Sequence, residues 1–137
     1  MVNKKLKYFL IIFVIFFTDL ILKTLLLTKH PEAITKNTGI GLGILQNNPG
    51  IAIFISIVVI AIFFILLLQK KQLTEYYNIE NFAIAIIIGG SLSNLFDRIV
   101  HGFVIDYINI MIIPVFNISD FSITIGIITI IILLLRA

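Results

Sequence analysis

The 137 residues carry 60% hydrophobic and only 12% charged side chains, with a mean hydropathy of +1.16. A soluble domain of that length needs far more polar surface, so lipid must be the solvent over most of this one. The net charge of +3 does not point to nucleic acid, because the lysines stand at the ends of apolar runs, and the absence of cysteine excludes disulfides and thiolate metal sites.

Lys4, Lys5 and Lys7 precede an apolar run from Tyr8 to Leu27. The run is too long for the core of a signal peptide and no small-x-small cleavage site follows it, so it reads as a retained transmembrane helix. About 18–20 apolar residues cross the hydrocarbon core. Four runs approach or exceed that length, at about 7–27, 50–68, 82–100 and 118–136, the second entered by an Asn47-Asn48-Pro49-Gly50 turn. The expectation is an all-α integral membrane protein, a four-helix bundle in a single domain spanning 1–137. The connections are 28–49, 69–81 and 101–117. Isoleucine richness does not argue for strands, since a lipid-embedded segment must satisfy its backbone internally. Lys4, Lys5, Lys7, Lys70, Lys71 and Arg136 fall on one side and only Lys29 and Lys36 on the other. The positive-inside bias therefore places both termini in the cytoplasm and the loops 28–49 and 101–117 outside.

The remaining charges concentrate toward that outer side. Asp19 lies roughly 18 Å up the first helix, and Asp97 with Arg98 about 22–24 Å up the third, at about 1.5 Å per residue. Asp106 follows just past the third helix and Asp120 opens the fourth. Asp19 with Lys23, four apart on one face, and Asp97 with Arg98 read as structural ion pairs. No base is left over to neutralise both Asp106 and Asp120, although Lys36 lies within reach from the outer loop. Two close carboxylates cannot both ionise easily; sharing a proton, they can activate water and protonate a leaving amine. The plain alternative is a pair of interfacial aspartates facing water. Asn37, Asn94 and Asn117 fall in the same zone and supply uncharged hydrogen bonds suited to a peptide or an oxyanion.

The stretch Gly89-Gly90-Ser91-Leu92-Ser93-Asn94-Leu95-Phe96-Asp97-Arg98 with Gly102-Phe103-Val104-Ile105-Asp106-Tyr107 resembles the third-helix motif of lipoprotein signal peptidases (signal peptidase II). Phe116-Asn117-Ile118-Ser119-Asp120 resembles their fourth-helix motif, Asn37-Thr38-Gly39 the segment before their second helix, and Asp19 with Lys23 the pair in their first. The likeness runs in order along nearly the whole chain. It implies that Asp106 and Asp120 are catalytic, that Asn37, Gly39, Asn94, Arg98 and Asn117 line the site, and that Asp19, Lys23 and Asp97 support it. It also implies a cytoplasmic-membrane aspartic endopeptidase, globomycin-sensitive, without metal or cofactor, that cuts lipid-modified prolipoproteins before a diacylglyceryl cysteine. Its active site would face outward; membrane lipid is the other expected partner, and a monomer is expected. Ser93 stands where the family usually has glycine, Ser119 where it has alanine and Leu42 where it has phenylalanine, with Gly41 and Gly43 beside it. Both outer segments are short, which implies a reduced extracytoplasmic cradle. Two alternatives stand beside this: a homologue that binds lipoproteins without cleaving them, and a small ion or proton carrier. The carrier needs polar groups continuing through the inner halves of the helices, which read as almost purely apolar.

Overall fold

The computed structural model describes residues 4–39, 48–69 and 75–136. Gly41, Leu42, Gly43, Asn47, Lys70 and Lys71 lie outside the described residues. The chain runs α1 (Lys4–Lys29), a 3-10 turn (Pro31–Ala33), β1 (Thr35–Asn37), α2 (Pro49–Gln69), α3 (Glu75–His101), β2 (Val104–Asp106) and α4 (Ile118–Leu135). All four helices hold spans long and apolar enough to cross a membrane: Leu6–Lys29, Pro49–Gln69, Asn78–His101 and Ile118–Leu135.

The least hydropathic span is the central one. The α3 span has a mean hydropathy of 1.5 and is 72% buried, whereas the other three, at 2.5, 3.5 and 2.4, are only 17, 11 and 17% buried. Lipid selects for an apolar exterior, so polar residues collect on the helix that others surround. The helices α1, α2 and α4 all pack on α3, and α2 and α4 each pack there rather than against each other. Tight approach depends on small residues at the α3–α4 seam. A Cβ on Gly90 would stand 2.6 Å from the Ser119 carbonyl, and one on Gly126 2.8 Å from the Ala83 carbonyl.

Two boundaries differ from expectation. The third helix begins at Glu75 rather than near residue 82, because hydropathy marks where lipid begins and not where the backbone ladder starts. Its polar start is held against α1 by Tyr8 Oη and Lys7 Nζ, which donate to Asn78 Oδ1 at 3.0 and 3.5 Å. Pro49, expected in the turn before the second run, already belongs to α2. Proline suits the first helical position, where no N–H partner is needed.

At the far end of α3, the Gly102 N–H bonds the Arg98 carbonyl at 3.1 Å, and the glycine takes φ +78° to stop the helix. The chain turns back into β2, which pairs antiparallel with β1 in the register Thr35 to Asp106, Lys36 to Ile105 and Asn37 to Val104. This two-stranded sheet occupies the place of the expected cradle. Beyond it, Ile108 and Phe116 form a bridge that closes the loop leading to α4.

Candidate functional site

Four elements converge at the sheet end of the bundle. Asp106 is the last residue of β2 and is 1% exposed. Asp120 sits in the first turn of α4, whose N-cap is Asn117. The capping is reciprocal: the Asp120 N–H donates to Asn117 Oδ1 at 2.8 Å, and the Asn117 N–H donates to Asp120 Oδ2 at 3.3 Å. With its Oδ1 occupied, Asn117 points Nδ2 at Asp106 Oδ1, 2.7 Å away. One residue thus touches both carboxylates. The second oxygen of each is held by another asparagine, Asn37 Nδ2 on Asp106 Oδ2 at 2.9 Å and Asn94 Nδ2 on Asp120 Oδ1 at 2.8 Å.

The loop after β1 is oriented by two bonds. The Gly39 N–H donates to Asn37 Oδ1 at 3.0 Å, and its carbonyl accepts from Arg98 Nη2 at 2.8 Å. Burial, and then the negative charge of Asp120, push the Asp106 carboxyl up to about 7, against the pull of its two amide partners and Lys23. The buried carboxylates Asp19, Asp97 and Asp106 outnumber the buried cations Lys23 and Arg98 here, which adds to the cost of ionising Asp106.

Beneath the pair lies a second network. Lys23 Nζ contacts Asp19 Oδ2 at 2.7 Å, Asp97 Oδ2 at 2.9 Å and Asn94 Oδ1 at 2.9 Å. The expected Asp97–Arg98 ion pair is therefore corrected. Neighbouring helical residues do not face each other, and Asp97 turns to Lys23 while Arg98 turns to the Gly39 and Asn94 carbonyls. Lys36 does not turn to the aspartates either; its ammonium lies 5.0 Å over the Phe103 ring. Asp97 Oδ2 also accepts the Ile105 N–H at 3.1 Å, tying β2 to α3.

Asp19 is the hub that sequence reasoning under-read. Its Oδ2 accepts from Ser93 Oγ at 2.7 Å and Ser119 Oγ at 2.6 Å, and its Oδ1 from Tyr107 Oη at 2.7 Å. Tyr107 follows Asp106 and Ser119 precedes Asp120, so one carboxylate in α1 braces the neighbours of both aspartates. Burial and the Asp19 charge push the Tyr107 hydroxyl pKa upward, which keeps it a donor. Ser93 and Ser119, from adjacent helices, thus meet on a single oxygen. Each buried hydroxyl needs a partner, but nothing in the local sequence points to Asp19 as the acceptor.

A cavity of about 490 Å³ opens beside Asp120. Asn37, Asn94 and Arg98 form its polar side; Ile55 and Val59 of α2, Ile123 of α4 and the 113–116 segment form its apolar side. Asp106 is not on its wall but bonds Asn37, which is. Among the described residues, no three His, Cys, Asp or Glu side chains cluster as a metal site would require.

The signal peptidase (SPase) II family matches residues 11–136. The chain belongs to the signal peptidase II family. Among similar proteins, the lipoprotein signal peptidase of Caldicellulosiruptor bescii is 37% identical over 74% of this chain and 64% of its own length. That of Wigglesworthia glossinidia brevipalpis is 46% identical over 66% of this chain and 61% of its own. The chain thus spans less than two thirds of the length of these relatives. A bacterial membrane enzyme solved by the in meso method at 2.3 Å resolution superposes with a TM-score of 0.82 at 29% identity, covering 95% of this chain and 88% of that one. A second, at 1.9 Å resolution, gives 0.79 at 28% identity, covering 95% and 93%.

Proposed function

We propose that this protein is an intramembrane aspartic endopeptidase that removes signal peptides from diacylglyceryl-modified prolipoproteins, with Asp106 and Asp120 as its catalytic pair. The observation that carries the reading is Asn117, which hydrogen-bonds both carboxylates, one of them, Asp120, on the wall of a cavity bordered by two helices that make no contact among the described residues. Family membership adds the substrate class.

In this mechanism the pair holds one proton. Asp120, on the cavity wall, acts as the base: it takes a proton from water as the oxygen bonds to the scissile carbonyl carbon. The pair's other proton rests on Asp106, whose pKa is raised to about 7, so that Asp120, holding the proton taken from water, faces the substrate as the acid of the second step. On collapse of the tetrahedral intermediate the C–N bond breaks and the leaving amine takes one proton from the pair, which gained one from water, so the pair again holds one. Asn94, Asn37 and Asn117 hold the carboxylates in place, and the apolar side of the cavity accommodates acyl chains entering from lipid between α2 and α4. The lysine and arginine bias supports cytoplasmic termini and a site toward the outer face.

A carrier is disfavoured by the interior below Asp19. Ile84, Ala85, Ile87 and Ile88 are buried there, and they separate the site from Asn81 and Asn78 near the opposite end of α3. The test uses purified protein in vesicles with a diacylglyceryl-modified preprotein, with and without globomycin. Cleavage by the wild type, and none by Asp106→Asn or Asp120→Asn inserted equally well, is the expected result. Full cleavage by either variant refutes the assignment, and wild-type binding without cleavage would favour the non-cleaving homologue.

A further inference from the structure

The loop joining β2 to α4 has no charged residue from Tyr107 to Ser119, and its tip reads Ile110-Met111-Ile112-Ile113. The bridge between Ile108 and Phe116 pins its base. At the tip the Met111 N–H donates to Asn109 Oδ1 at 2.9 Å, and Met111 takes φ +62°, a left-handed conformation that side chains other than glycine adopt at a cost. This turn aims Met111 and Ile112 outward, 92% and 88% exposed, while Ile113 and the three residues after it wall the cavity beside Asp120.

In water, a strained turn that displays two large apolar side chains carries two unfavourable terms, and among the described residues little covers either side chain. The surroundings supply an opposing term. At the same end of the bundle, Ile99 and Val100 in the last turns of α3 and Phe121 in the first turn of α4 are exposed as part of the lipid-facing belt. The loop that carries the tip leads directly into α4, with no charged residue from Tyr107 to Ser119. We propose that Ile110–Ile113 is inserted among the lipid acyl chains of the leaflet nearest the sheet, anchoring the loop whose inner half walls the cavity. Exposed apolar tips of this kind gain from lipid contact in proportion to the area covered. Anchored there, residues 113–116 hold the cavity mouth at the level of lipid rather than water. The inference rests on the membrane spans and the loop geometry, and stands apart from the peptidase chemistry.

The chain has no tryptophan, so a single introduced indole reports its own surroundings. Met111→Trp and Ile112→Trp would be compared in phosphatidylcholine vesicles with Glu32→Trp, on an exposed turn, and Ile128→Trp, on the lipid face of α4. Emission at shorter wavelength than Glu32→Trp, with strong quenching by bromine near the headgroup end of the acyl chains and little by iodide, is expected at both tip positions. Emission and iodide quenching like those of Glu32→Trp overturn the proposal. So does short-wavelength emission insensitive to brominated lipid, since protein would then cover the tip.

Discussion

Asp106→Asn separates the cost of the carboxylate from its use. The pKa of Asp106 rises from an ordinary 3.8 to about 7 on folding. Between those values the folded protein holds a proton that the unfolded chain has released, so this group's contribution to stability falls as pH rises through that window. Above about 7 the penalty is complete, at most about 4 kcal/mol at about 1.4 kcal/mol per unit. Asparagine removes that penalty, but it can accept from only one of Asn37 and Asn117, leaving the other amide facing a donor at a cost of about 1–3 kcal/mol. The variant should therefore be more stable than wild type by about 1–3 kcal/mol at pH 8 and less stable by a similar amount at pH 4, while inactive throughout. Unfolding by heat or by SDS titration in micelles, followed by circular dichroism at both pH values, measures the difference. An equal difference at pH 4 and pH 8 refutes the reasoning. Under the proposed mechanism, wild-type cleavage should decline as pH rises through about 7, where Asp106 releases its proton and the pair no longer holds one.

Lys23→Met leaves Asp19 and Asp97 buried without their shared cation; a loss of about 3–5 kcal/mol is expected, read as reduced folded yield and a lower melting temperature. Gly90→Ala drives a Cβ into the Ser119 carbonyl and should cost about 1–3 kcal/mol and lower kcat, because α4 must shift at the residue before Asp120. Gly50→Ala, with open space around it, should be neutral or stabilise α2 by up to about 1 kcal/mol. Ser93→Ala and Ser119→Ala each remove one donor from Asp19 Oδ2 and should cost about 1 kcal/mol, with a drop in kcat larger than any change in KM. A double-mutant cycle of the two should show coupling, since both hydroxyls share one oxygen.

The helices were legible because crossing lipid demands an unbroken run of apolar residues, and composition along the chain records that demand directly. Pro49 and Glu75 show the limit: the ends of α2 and α3 are set by backbone bonding and local partners, to which hydropathy is blind. The Asp19–Lys23 contact was visible at spacing i, i+4, and the structure holds it at 2.7 Å. The Asp97–Arg98 pairing was misjudged because partner choice at adjacent positions depends on which way each faces within the bundle.

By itself the sequence determined the membrane class, the four spans, and the chemistry-bearing residue types with their order along the chain. Only the tertiary structure decided which oxygen meets which amide. The bonds around the pair join Asn37 to Asp106 and Lys23 to Asn94, 69 and 71 residues apart. Ser93 and Ser119 reach the same Asp19 oxygen across 74 and 100 residues. Contacts at such separations follow from how α1, α3 and α4 pack, and no local spacing encodes them. The apolar run at 110–113 was present in the sequence as well, but only the folded loop shows Met111 and Ile112 exposed while 113–116 line the cavity.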